Sequence, residues 1–126
     1  MKFRAICENH LYSKAYARGK RYVGRAIAVY VLPDYRAEKI RRARPQKDKI
    51  NRIGLTVSKK LGGAVVRTRV RRILREAYRD IQNEYTIRPG FLVVIAAREP
   101  AVTMTSTALT PELRRAFSRL QLIVES

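Results

Sequence analysis

Residues Arg52 to Arg79 read RIGLTVSKKLGGAVVRTRVRRILREAYR, which joins an alternating strand, a glycine turn and a basic amphipathic helix. With about 100° between successive helical residues, Val66, Val70, Ile73, Leu74, Ala77 and Ile81 fall on a single apolar stripe that should face a core. Thr68, Arg71, Arg72, Arg75 and Arg79 fall opposite it, and Arg67 and Arg69 sit on the two flanks. Only Glu76, Asp80 and Glu84 offset this charge along the helix. Arg72 and Glu76 are helical neighbours of opposite sign, whereas Arg75 and Arg79 repel each other. A charged face of mixed sign is usually just solvated. This face is nearly all arginine, whose planar fork of donors matches phosphate oxygens, and a polyanion would relieve the repulsion that the isolated helix carries.

The rest of the composition agrees. The 126 residues hold 28 Lys plus Arg against 10 Asp plus Glu, a formal charge of +18. Residues 1–35 carry 7 basic and 2 acidic side chains, residues 36–79 carry 16 and 3, and residues 80–126 carry 5 and 5. Charge concentrated in the middle third is the footprint of a phosphate backbone rather than of general solubility, so a nucleic acid is the expected partner. A membrane is the competing polyanion. No apolar run approaches the roughly 18 to 20 residues a span needs, and no secretory pattern opens the chain, so the expected setting is the cytoplasm. With 46% hydrophobic residues the chain can form one RNA-binding domain over residues 1–126. Cys7 is the only cysteine, which excludes an internal disulfide and a cysteine-based zinc cluster.

Working outward, Asn9 to Arg18 has Leu11, Tyr12, Ala15 and Tyr16 at helical spacing, with Asn9 as cap and Gly19 as stop. AIAVYVL at Ala26–Leu32 predicts a buried strand ending at Pro33-Asp34, with Tyr22 to Arg25 as its possible beginning. Residues 34–51 lack apolar periodicity, contain Arg36, Lys39, Arg41, Arg42, Arg44, Lys47 and Lys49, and predict a long basic loop, mobile without RNA. Arg52 to Ser58 predicts a second strand. Gly62-Gly63 then breaks the chain, and the free N–H groups of the next helix, beside Lys59 and Lys60, suit a phosphate near residues 59–64. Arg88-Pro89-Gly90 is a turn, FLVVIAA at Phe91–Ala97 a strand, and Thr110-Pro111-Glu112 the expected start of a last helix carrying Leu113, Ala116, Phe117 and Leu120. The expected fold is an α/β (α+β) two-layer sandwich: a small mixed sheet packed with about three helices.

RIGLTVSKKLGGAVVRTRVRRILREAY strongly resembles the signature of the protein subunit of bacterial ribonuclease P. LYSKAYARGK at Leu11–Lys20 is similar to the family's aromatic first helix, and AVYVL at Ala28–Leu32 and FLVVIAAREPA at Phe91–Ala101 to its strands. The resemblance implies a left-handed β-α-β crossover, an exception to the usual hand. It also implies a non-catalytic subunit that assists Mg²⁺-dependent removal of the 5′ leader of precursor tRNA, the chemistry and the Mg²⁺ requirement belonging to the partner RNA. By position, it places contact with the catalytic RNA on Lys59, Lys60, Arg67, Thr68, Arg69, Arg71, Arg72 and Arg75. It places the leader-binding cleft between the first helix and the sheet, on Tyr12, Tyr16 and Tyr30, which could stack on unpaired bases. Thr68 and Gly63 stand where the family usually has Asn, and Tyr12 and Tyr16 replace the commoner Phe. Tyr78 and Tyr85 read as structural.

A stand-alone nuclease would need clustered carboxylates for metals or a positioned base. His10 is the only histidine, and Asp34, Asp48 and Asp80 lie in separate segments, so neither catalytic residues nor a metal site is expected; separately, no obligate protein partner is expected. The alternative from another class is a basic structural protein of a ribosome-like particle. Composition alone does not separate the two, but the signature and the three tyrosines do.

Overall fold

In the computed structural model, which describes residues 4–6, 9–34 and 51–123, helices pack on both faces of one five-stranded sheet. In chain order they are β1 (Arg4–Ala5), α1 (Asn9–Arg18), β2 (Lys20–Val23), β3 (Ile27–Pro33), β4 (Arg52–Thr56), α2 (Ala64–Glu84), β5 (Phe91–Ala97) and α3 (Ser106–Arg119). Short 3₁₀ segments at Lys59–Leu61 and Glu99–Thr103 precede α2 and α3. The sheet runs β1-β4-β5-β3-β2, with β1, β4 and β5 parallel and the β5-β3 and β3-β2 pairs antiparallel.

Strand β5 is central and covered on both faces, which is why its sequence is continuously apolar. Its Val93 and Ile95 join Ile27, Val29, Val31 and Ile53 beneath α2 and α3 in the main core. Leu92 and Val94 join Leu32, Leu11 and Ala15 in a smaller core beneath α1. Helix α1 therefore adds a partial third layer to the sandwich. The two parallel crossovers, β1-α1-β2 and β4-α2-β5, advance across the sheet in the same direction with their helices on opposite faces. They must have opposite hands, so one is left-handed, as the family resemblance implies.

Helix α2 buries Val70, Ile73, Leu74, Ala77, Tyr78 and Ile81, with Val66 half-buried, in agreement with the predicted stripe. The Tyr78 ring meets Phe117 of α3 edge to face, with centroids 5.9 Å apart. Burial pushes the Tyr78 hydroxyl above its ordinary value of 10.0, and the adjacent Asn51 amide pulls it partly back. An unfolded tyrosine ionises near pH 10 while the folded one keeps its proton, so stability falls as pH rises beyond that point. The urea midpoint of the wild type should drop more between pH 9 and 11 than that of Tyr78→Phe; parallel pH profiles would refute this.

Of the paired glycines, only Gly62 is sterically required. Its φ is 152°, and an added Cβ would lie 2.8 Å from a Val66 methyl. Gly63 is the N-cap of α2 in extended conformation with no side-chain cap, and a Cβ there meets nothing within 4 Å. Gly63→Asn should therefore raise thermal stability by a few tenths of a kcal/mol through capping.

Three expectations are corrected. Tyr22 to Arg25 does not begin the strand of Ala26–Leu32: Lys20–Val23 forms a separate strand, and a tight turn at Gly24–Ala26, closed by Gly24 N–H donating to the Ile27 carbonyl, makes a hairpin. Thr110 is not an N-cap. Helix α3 starts at Ser106, where the Thr105 side chain accepts from Ala108 N–H, so Pro111 lies inside the helix. The strand beginning at Arg52 ends at Thr56 rather than Ser58, because Ser58 caps the following 3₁₀ turn by accepting from Lys60 N–H. The basic loop from Arg36 to Lys49 lies outside the described residues. At its borders, Asp34 and Asn51 are buried anchors. Asp34 accepts from Arg52 Nε at 2.6 Å and Nη2 at 2.9 Å, while its own N–H donates to the Gly90 carbonyl. Asn51 donates to the Arg88 carbonyl and accepts from Phe91 N–H.

Candidate nucleic-acid interface

Because the apolar stripe of α2 is fixed against the sheet, its opposite side must face solvent. Thr68, Arg72, Arg75 and Arg79 are exposed there and Arg71 is half-buried. Arg72 approaches Glu76 at 3.9 Å, with both side chains about half exposed or more, a pair worth at most about 0.5 kcal/mol. The face stays strongly cationic. The flanking arginines differ from it. Arg69 donates to the carbonyls of Val102 and Met104 at 2.9 and 3.4 Å, tying α2 to the segment before α3. Arg67 is half-buried, and its Nε is enclosed without a hydrogen-bond partner among the described residues. Lys59 and Lys60 are exposed on the 3₁₀ turn just before the uncapped start of α2, so the cationic surface continues past the end of the helix.

The three tyrosines gather on the other face of the sheet. Tyr12 lies against Gly54 of β4, where an added Cβ would come within 2.5 Å of its ring, and its hydroxyl donates to the Ile6 carbonyl at 3.5 Å. A glycine at this strand position is what lets α1 seat a ring directly on the backbone. One turn later, Tyr16 meets Tyr30 of β3 edge to face, with centroids 4.8 Å apart and planes at 86°. The Tyr16 hydroxyl reaches Thr56 Oγ1 at 3.4 Å. Tyr16 remains 42% exposed, whereas Tyr12 and Tyr30 are half-buried against the small core. The structure thus brings Tyr12, Tyr16 and Tyr30 together, on the opposite face of the sheet from α2 and its arginines.

Other positions that shape the site are less visible in the sequence. Glu112, expected near a helix start, instead accepts from the N–H groups of Arg25 and Ala26 at 2.9 to 3.2 Å, and Arg98 donates to the Gly24 carbonyl at 2.5 Å. These long-range contacts pin the hairpin, and no local pattern could have announced them. An open recess of about 410 Å³ between α2 and α3 is lined by Asp80, Glu84, Thr107, Thr110 and Arg114 among others. With two carboxylates against one guanidinium, it is poorly suited to a polyanion. Among the described residues no group of three or more His, Cys, Asp or Glu side chains could hold a metal ion, and no helix is long and apolar enough to cross a membrane.

The sequence model of the family described as Ribonuclease P matches residues 1–121. The ribonuclease P protein component of Clostridium acetobutylicum is 32% identical over 124 residues, covering 98% of this chain and 94% of the relative. That of Exiguobacterium sibiricum is 35% identical over 108 residues, covering 86% and 82%. Among solved structures, the Staphylococcus aureus RNase P protein superposes with a TM-score of 0.75 at 24% identity, over 98% of this chain and all of that one. The Thermotoga maritima RNase P protein gives 0.71 at 17% identity, over 98% and 99%. The structures establish the shared fold, and the sequence matches reach further: this chain belongs to the ribonuclease P protein family, the protein subunits of a ribonucleoprotein endoribonuclease.

Proposed function

We propose that this subunit grips two RNAs on two faces of its sheet: the catalytic RNA on the arginine face of α2, and the 5′ leader of precursor tRNA on the tyrosine cleft beneath α1. The observation that carries the second half is the half-exposed Tyr16 ring locked edge to face on Tyr30, held apart from the cationic helix. Aromatic faces accept unpaired bases with little sequence preference, as a leader that differs between tRNAs demands. For the first half, Lys59, Lys60, Arg67, Thr68, Arg69, Arg71, Arg72 and Arg75 contact the RNA, Arg69 from a position tied to the segment before α3. Mg²⁺ serves the partner RNA, which carries out the hydrolysis, and the assembly works in the cytoplasm where precursor tRNA is made. A purely structural role in another particle is disfavoured by the family match.

Purified protein alone should leave precursor tRNA intact, and adding it to the cognate RNA at low Mg²⁺ should restore leader removal. Cleavage without the RNA, or no effect on it, would sink the proposal. Within the holoenzyme, Tyr16→Ala should weaken precursor binding by about 1 to 3 kcal/mol while sparing mature tRNA. Equal losses for both substrates would argue against a leader platform.

A further inference from the structure

The α1-side face of the sheet does not end at the tyrosine pair. Strand β2 forms its outer edge, and the register sets Arg21 opposite Tyr30 and Val23 opposite Ala28. Directly opposed residues share a face, so Arg21 and Val23 extend the tyrosine surface by one strand, about 4.8 Å farther out. Val23 is 56% exposed and Arg21 is exposed as well. Tyr16, Val23 and Val65 are the exposed large hydrophobic side chains among the described residues, and the first two lie on this face. The chain around the edge is cationic: Arg18, Lys20, Arg21 and Arg25 are all exposed, and residues 9–33 contain no carboxylate side chain. The carboxylate that does reach the hairpin, Glu112, is committed to the N–H groups of Arg25 and Ala26. The edge is also held still. Besides Glu112 and the Arg98 side chain, the Arg98 N–H donates to the Ala26 carbonyl at 2.7 Å, so the turn is fixed from two elements. A preorganised edge orders little on binding, which favours affinity.

We infer that the β2 edge is an outer subsite for single-stranded RNA, in which Arg21 pairs with a leader phosphate and Val23 packs on a base or sugar beyond the nucleotide seated at Tyr16 and Tyr30. This rests on the proposed leader cleft and adds a direction to it. The cationic start of α2, at Lys59 and Lys60, follows β4 on one side of the cleft, and β2 is the edge on the other. A leader that leaves the catalytic RNA near α2 crosses the tyrosines first and reaches β2 with nucleotides more distant from the cleavage point. The occupant is RNA rather than a protein strand because the outward side chains are cationic, and exposed Lys and Arg on an edge strand disfavour strand pairing.

The two ideas separate on a ladder of precursors whose leaders are shortened one nucleotide at a time, with holoenzyme affinity measured for each. Wild type should gain affinity in an early step, lost in Tyr16→Ala, and a later step at longer leaders, lost in Arg21→Glu and restored in Arg21→Lys. The later step should be about tenfold at low salt and shrink as salt rises, as a phosphate contact must. Val23→Asp should reduce the same step, and mature tRNA should bind all variants equally. Loss of the early step in Tyr16→Ala with no length-dependent change in Arg21→Glu overturns the outer subsite and leaves the cleft standing. An unchanged early step in Tyr16→Ala overturns the cleft itself. A loss in Arg21→Glu that is equal at every length, mature tRNA included, also overturns the subsite.

Discussion

Replacing Arg71, Arg72 and Arg75 together by alanine is expected to weaken assembly with the catalytic RNA by about a hundred- to two-hundredfold, taking about 1 kcal/mol for each lost charge-assisted contact. The salt dependence should change with it. Each phosphate contact contributes close to one unit to the slope of log affinity against log salt, so the variant's slope should be shallower by about two to three units. Arg72 should account for less than its share, because Glu76 already attenuates it. Folding should survive, since the buried stripe of α2 is untouched and relief of repulsion between Arg75 and Arg79 favours the helix slightly. Binding measured at two or more salt concentrations, beside thermal unfolding of the free protein, decides the matter. An unchanged slope with reduced affinity would mean that the face acts through the protein's shape rather than through phosphates.

The second large effect is on stability. Asp34→Ala should cost about 3 kcal/mol, because it removes the two-pronged carboxylate partner of a largely buried guanidinium. The side chains of Asp34 and Arg52 are 2% and 13% exposed, and their two-pronged contact bridges the end of β3 to the start of β4 across the beginning of β5. Asp34→Leu with Arg52→Met should recover most of the loss, since apolar residues carry no desolvation penalty. Urea unfolding with an unchanged m-value would report it. A loss below about 1 kcal/mol for the single variant would show the pair to be effectively solvated.

Much of this architecture was legible because local pattern and burial coincide. Phe91–Ala97 is apolar at every position since both faces of β5 are covered, and α2 has one stripe against one sheet. Reading failed where a distant group decides. The β2-β3 turn is set by Glu112 and Arg98, which lie more than seventy residues away. At the last helix, Thr110-Pro111 imitates a start, but Leu109 is already fully buried one step earlier in the stripe, so the helix must begin upstream at the cap on Thr105. Of the site, the arginine face follows from helical periodicity alone. The tyrosines were located through resemblance to a family. Gly54 beneath Tyr12 could not be found from either, because the contact joins α1 to a strand some forty residues later.

The alternation of β5 has a further consequence. Val93 and Ile95 support the helix that presents the arginines, and Leu92 and Val94 support the helix that presents Tyr12 and Tyr16. The two grips are therefore built on opposite sides of the same seven residues, with a layer spacing of about 10 Å on either side and no hinge between them. On the proposed reading, the protein is a fixed-gauge spacer. It sets how far a leader can lie from the catalytic RNA before any nucleotide is recognised, and a one-residue insertion in β5 would exchange the two sides and destroy the gauge, however intact each surface remained.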